Sequence, residues 1–116
     1  MKKRIEYYSF GEIIIGGARY RNDVIIHGER IIEWWRKEGH LVQVEDLDEV
    51  LDDRPDILII GTGYYGAMKV SPGVEGTCSE LGIRLIAQTT QEAYRTHNEL
   101  VENEKLRIST ALHLTC

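Results

Sequence analysis

The chain opens with short segments rich in β-branched and aromatic residues, then changes to continuous apolar runs separated by helical periodicities. Ile5 to Phe10 reads as a strand closed by Gly11. Glu12 to Ile15 and Ala18 to Arg21 flank Gly16-Gly17, a pair suited to a two-residue hairpin turn. Asn22-Asp23 punctuates the chain before a strand over Val24 to His27. Gly28-Glu29 then turns it back as Arg30 to Trp35. Glu33 and Lys37 at i,i+4 also suit a helix over 29–37, and the strand is the preferred reading.

Beyond residue 40 the pattern alternates between β and α. Val42 to Val44 suits a short strand, and Asp46 with Glu49 resembles a capping box ahead of Leu47, Val50 and Leu51. Arg54-Pro55 stops that helix. Ile57-Leu58-Ile59-Ile60 is a continuous apolar run, the mark of a strand covered on both faces. Ser71-Pro72 starts a helix whose Val74, Cys78 and Leu81 share one side, and Gly82 ends it. Ile83 to Ala87 is the next strand. Thr89 and Glu92 form a second box ahead of Ala93, Tyr94, His97, Leu100 and Val101 at helical spacing. Leu106 to Leu114 alternates apolar residues with Arg107, Ser109, Ala111 and His113, which predicts a half-polar strand. Strands joined through helices imply right-handed crossovers and parallel pairing. The expected fold is therefore α/β: three layers around a mixed, partly parallel central sheet, with an additional N-terminal β-hairpin region.

Gly61-Thr62-Gly63-Tyr64-Tyr65-Gly66 matches G-x-G-x-x-G directly behind the buried run. A dinucleotide site needs its helix to open inside the glycine loop and an acid at the end of a second strand ~20 residues on. Here Ala67 to Val70 intervene, and Glu75 and Glu80 lie in the helix. No nucleotide cofactor is expected. A tight structural turn is the first reading. The second is a small-anion site: were strands 57–60 and 83–87 parallel, Gly61, Thr62, Gly63 and Gly66 would lie beside the helix start at Thr89, Thr90 and Gln91. Backbone N–H groups and hydroxyls there could hold an anion.

Cys78 falls on an apolar helix face and reads as a buried thiol; His97 reads as a core imidazole. His113 and Cys116 are three apart on an extended chain and point to opposite faces, and no other His/Cys pair has ligand spacing, so no metal is expected. Glu45, Asp46, Asp48, Glu49, Asp52 and Asp53 read as a solvated face, and no nucleophile elbow is present. A non-enzymatic module is therefore the first reading, with a binder of, or modest enzyme on, a small anionic ligand at the glycine turn 61–66 and the helix start at 89–91 as the alternative. Trp34-Trp35 with Arg36, and Tyr64-Tyr65, are the candidates for an interaction surface, because exposed aromatics beside arginine are typical of protein interfaces.

Composition narrows the partners. The 116 residues carry 14 basic and 19 acidic side chains, a net charge of −5 that offers no general attraction to nucleic acid or anionic lipid. Hydrophobic residues at 42% and charged residues at 28% are globular values. No apolar run approaches the ~20 residues of a membrane-spanning helix, so no membrane insertion is expected. Two cysteines suit a reducing compartment, and no apolar signal segment follows the basic start Met1-Lys2-Lys3-Arg4, so a cytoplasmic location is expected.

The tract Ile57 to Gly66 resembles the strand and glycine turn of the adipogenesis-associated Mth-domain family, a family of unknown function that also includes a mitochondrial NADH dehydrogenase assembly factor. Phe10-Gly11, Tyr20 before Asp23-Val24, Arg36-Lys37 with Gly39-His40, Thr90 and Ala93 with Asn98, Glu99 and Leu100, and the ending His113-Leu114-Thr115-Cys116 fit the same pattern. The resemblance implies one three-layer α/β domain over 1–116 without an established catalytic activity. It also implies work through contacts with a protein partner, as an assembly or accessory module, with self-association one form of such contact.

Overall fold

A computed structural model describes residues 3–116; Met1 and Lys2, part of the basic start, lie outside the described residues. Its centre is a five-stranded sheet formed by β4 (Val24–His27), β5 (Arg30–Glu33), β7 (Ile57–Thr62), β9 (Arg84–Gln88) and β10 (Ile108–His113), in the order β5-β4-β10-β7-β9. β7 runs parallel to both β9 and β10, whereas β4 is antiparallel to β10 and to β5. The sheet is mixed and partly parallel, as the alternation of buried runs and capped helices implies.

The two faces of that sheet bury different halves of the molecule. Ile57 and Ile59 point toward a core shared with Ile26, Ile108 and Leu112. That core is closed by α3 (Thr90–Leu100) and by a separate antiparallel sheet of β1 (Ile5–Ser9), β2 (Glu12–Ile15) and β3 (Ala18–Tyr20). Leu58 and Ile60, one residue out of phase, join Ile25 and Ala111 in a second core. Its cover is α1 (Asp48–Asp53), α2 (Pro72–Leu81) and a small parallel pair, β6 (Leu41–Val42) with β8 (Lys69–Val70). Strand periodicity of two thus builds both cores from one run of residues.

Three local expectations change. The Arg30 strand ends at Glu33, before the tryptophans. Asp46 does not open a box with Glu49: it sits in a 3₁₀ turn, Val44–Leu47, where its carboxylate accepts from the Lys37 and Gln43 backbone N–H groups. Glu49 instead pairs with Arg30. The least expected feature is that β10, half-polar as its alternation predicts, exposes no polar side to solvent. All six of its residues are buried, because β4 and β7 flank it and the two cores cover its faces. Ser109, Thr110 and His113 therefore need partners inside the protein.

Candidate functional site

Parallel β7, β9 and β10 bring their carboxyl ends to one edge, and antiparallel β4 starts there while β5 ends there. Leu112 faces Val24 across the β10–β4 ladder. Continuing that register by one residue sets His113 opposite Asp23. The β4–β5 ladder pairs Val24 with Glu33, and Trp34 N–H donates to the Asp23 carbonyl at 2.9 Å just beyond it. Sheet geometry alone therefore gathers Asp23, His113 and the Trp34 to Arg36 segment, which are scattered in sequence.

The three charged or titratable side chains form a buried cluster. Asp23 Oδ2 accepts from Arg36 Nη2 and from His113 Nδ1, both at 2.8 Å, while Asp23 Oδ1 accepts from Leu114 N–H. Arg36 also donates to the Gly39 carbonyl, and its guanidinium lies 4.5 Å over the Trp34 ring. Burial pushes the Asp23 carboxyl up, but the donors from His113, Leu114 and Arg36 outweigh it and hold the group below its ordinary value. A depression against the burial effect is the expected result for a carboxylate ringed by donors. Two atoms of the cluster are nevertheless buried without a partner, Arg36 Nη1 and His113 Nε2. A pocket of about 290 Å³, lined in part by Asp23, Arg36, Trp35 and Thr115, opens on the Asp23 and Arg36 side of the cluster.

The glycine turn lies at the same edge. Gly61, Thr62, Gly63 and Gly66 do stand beside Thr89 and Thr90, but their polar groups bond to one another and to the chain's last residues. Gly63 N–H donates to Thr90 Oγ1 and Thr90 N–H to the Gly63 carbonyl. The Thr90 hydroxyl donates to the His113 carbonyl, and that of Thr62 to the Gln88 carbonyl. Thr89 caps α3, its oxygen accepting from Glu92 N–H. Tyr64 N–H donates to the Thr115 carbonyl and Ala67 N–H to that of Cys116. A Cβ on Gly63, whose φ is +109°, would lie 2.4 Å from the Cys116 carbonyl carbon. One on Gly61 would lie 2.8 Å from Thr90 Oγ1. Gly61 makes room for the Thr90 and Leu112 side chains, and Gly63 lets the backbone of Thr115 and Cys116 come close. That backbone belongs to this chain.

The aromatic candidates divide. Trp34 is buried in the second core with its Nε1 donating to the Asp46 carbonyl, and Arg36 is buried against Asp23; neither reaches a partner's surface. Trp35, Tyr64 and Tyr65 are exposed, Trp35 and Tyr65 to about three-quarters. Phe10, which sequence reasoning left in a strand, joins them from the β1–β2 turn. Its ring centroid lies 5.8 Å from Tyr64 and 6.2 Å from Tyr65, and the two tyrosines are 5.0 Å apart. Tyr8 and Tyr94 continue the cluster inward, and burial pushes the Tyr8 hydroxyl up to about 12.

A Ser–His–Asp string sits at the opposite edge. His27 Nε2 reaches Asp53 Oδ2 at 2.5 Å and His27 Nδ1 reaches Ser109 Oγ at 2.7 Å, His27 and Ser109 being direct cross-strand partners. A hydrolytic triad needs an accessible serine oriented through a shielded acid. Here Ser109 is 1% exposed whereas the Asp53 side chain is 54% exposed. The string ties β4, β10 and α1 together. Among the described residues no group of three or more His, Cys, Asp or Glu side chains converges as a metal site, and no helix is long and apolar enough to cross a membrane.

Solved structures share this architecture. The conserved hypothetical protein PH1505 from Pyrococcus horikoshii OT3 is 29% identical with a TM-score of 0.86, covering 97% of this chain and 99% of its own. An outer membrane protein from Bartonella henselae, 22% identical, shares the fold at a TM-score of 0.83 over 99% and 97% of the two chains. A Bordetella pertussis protein described as an Mth938-like domain is 19% identical with a TM-score of 0.75 over 97% and 85%. Residues 5–113 match the family described as protein of unknown function (DUF498/DUF598), and the chain belongs to that family.

Proposed function

We propose that this chain is a non-catalytic protein-binding module that docks through the aromatic face of Phe10, Tyr64 and Tyr65, with Trp35 as a second exposed anchor. The observation that supports this reading is the contiguity of three exposed aromatic rings on two neighbouring turns. Rings left in water at such spacing form an apolar patch, and aromatic anchors carry much of the energy of protein interfaces. The net charge of −5 favours a protein partner over nucleic acid. An assembly or accessory role, of the kind implied by the resemblance to the adipogenesis-associated Mth-domain family, is the form of activity proposed.

The test replaces Phe10 and Tyr65 together by serine and compares both proteins for self-association by sedimentation and for crosslinked partners in the native host. Each anchor is expected to contribute about 2 kcal/mol or more, so the double variant should lose association roughly a thousandfold while keeping its fold. Equal association by the two proteins would dismiss the aromatic face.

A further inference from the structure

Asp23 is the key to the proton arrangement at the strand ends. A carboxylate only accepts, so the hydrogen on the bond from His113 must sit on Nδ1. In the tautomer with a single hydrogen, Nε2 then has a bare lone pair. Arg36 Nη1 carries only donors. An unpaired acceptor and an unpaired donor therefore sit on two neighbouring side chains, Arg36 and His113, whose exposure is 6% and 7%, Arg36 Nη2 lying 3.2 Å from His113 Nδ1. Buried polar atoms in native proteins have partners, and no group among the described residues supplies one here. The place matters too: crevices at the carboxyl ends of parallel strands are where open α/β sheets take ligands. The adjacent pocket has Asp23 and Arg36 in its wall and Trp35 at its rim.

We propose that Arg36 and His113, braced by Asp23, receive one carboxylate group that enters together with a proton. One carboxyl oxygen accepts from Arg36 Nη1, and the proton is shared between the other oxygen and His113 Nε2. No covalent bond forms or breaks apart from that transfer. A cation is repelled by Arg36 and leaves Nη1 unpaired. A phosphate dianion would bring two further negative charges next to the Asp23 carboxylate, which is one hydrogen bond (2.8 Å) from both Arg36 and His113. A carboxylate with its proton keeps the cluster electrically balanced, the Asp23 and Arg36 charges already cancelling. Trp35, exposed at the rim, offers a flat surface to the rest of the molecule. The source is either a free small acid or the carboxyl terminus of a polypeptide, which share this chemistry. The site shares Trp35 with the docking surface proposed above but none of Phe10, Tyr64 and Tyr65, so its failure would leave the reading of that aromatic face intact.

The experiment follows the His113 ring nitrogens by NMR in the full chain, titrated with benzoate, N-acetylphenylalanine, N-acetylphenylalanine amide and phosphate. His40 packs edge-on against His113 at 5.7 Å and is assigned apart with a His40→Asn variant. Arg21 and Glu33, also on the pocket wall, are the remaining charged groups there. Either acid should move Nε2 from its bare to its protonated signal, with one proton taken up per acid bound in calorimetry across buffers. Response to benzoate alone identifies a small acid; a stronger response to N-acetylphenylalanine identifies a chain terminus. The amide and phosphate should do nothing. Arg36→Lys retains a charge for Asp23 but loses the planar fork, and should weaken the acids about tenfold or more. Should that variant fail to fold, the wild-type ring signal decides. Silence of Nε2 at tens of millimolar acid, or a benzoate-soaked crystal with only a water on Nη1 and Nε2, would overturn the proposal.

Discussion

His97 shows how one buried side chain imposes a pH dependence on the protein. Its Nε2 faces the Lys3 carbonyl and its Nδ1 faces the Thr110 hydroxyl, both at 2.7 Å. A carbonyl only accepts, so Nε2 carries the hydrogen and Nδ1 accepts from Thr110, which fixes one neutral tautomer. Burial, the largest influence, lowers the imidazole from 6.5 to about 4. The unfolded chain therefore binds a proton on His97 that the folded protein refuses, and stability must rise with pH through that interval. The contribution is complete above about pH 6.5 and is lost as the pH falls toward 4. A shift of this size corresponds to roughly 3 kcal/mol. Asp23 acts with the same sign in a lower window, because a depressed carboxylate keeps its stabilising bonds until acid protonates it below its ordinary value of 3.8. Urea unfolding at pH 7 and pH 4.5 should thus show a loss of about 2–3 kcal/mol in the wild type and a much smaller one in His97→Gln. An equal loss in both would place the dependence elsewhere.

Among the elements, those with local signals were legible in advance and those defined by pairing were not. Ser71-Pro72 and Thr89 with Glu92 mark the starts of α2 and α3 within four residues of sequence, and both helices begin there. β10 carries no such mark. Its Ser109 and His113 resemble a wet face until β4 and β7, contributed from far upstream, enclose it. The Asp23–Arg36–His113 cluster was missed for the same reason, since strand register alone joins residues 90 apart in sequence. The nearness of the glycine turn to Thr90 could be anticipated from parallel pairing, whereas its occupation by Thr115 and Cys116 could not. That occupation makes a prediction at this scale. Gly63→Ala adds a methyl where φ is +109° and the Cys116 carbonyl carbon lies 2.4 Å away. The cost should be about 2–4 kcal/mol by denaturant unfolding, combining overpacking with an unfavourable backbone angle. Deleting Thr115 and Cys116 removes the overpacking but not the angle. The substitution should then cost about 1–2 kcal/mol in the shortened chain. Equal costs in both backgrounds would show that the terminal segment does not press on the turn.

On the scale of the whole molecule, the final strand holds the architecture together. β10 pairs on one side with β4, which leads the antiparallel half of the sheet, and on the other with β7, which leads the parallel half. Its Leu112 faces the first core and its Ala111 the second, so both layers close against it. His27 of β4, His97 of α3 and Asp23 just ahead of β4 each bond to it, through Ser109, Thr110 and His113. Neither half of the sheet can close until this strand is in place, and its partners lie across long loops of chain, so the contacts that stabilise the fold are non-local and arrive late. A chain ending at residue 105 keeps both long helices and every other strand, yet leaves the inner edges of β4 and β7 unpaired and both cores open. Such an edge is a template for aggregation and not an independent sheet. The 1–105 fragment should therefore show no cooperative thermal transition and poor amide dispersion. A 1–114 chain, lacking only the two residues that lie on the glycine turn, should unfold cooperatively at reduced stability. Calorimetry and amide spectra of the two truncations decide between a molecule organised around β10 and one whose first hundred residues fold without it. A cooperative transition in 1–105 would establish the latter.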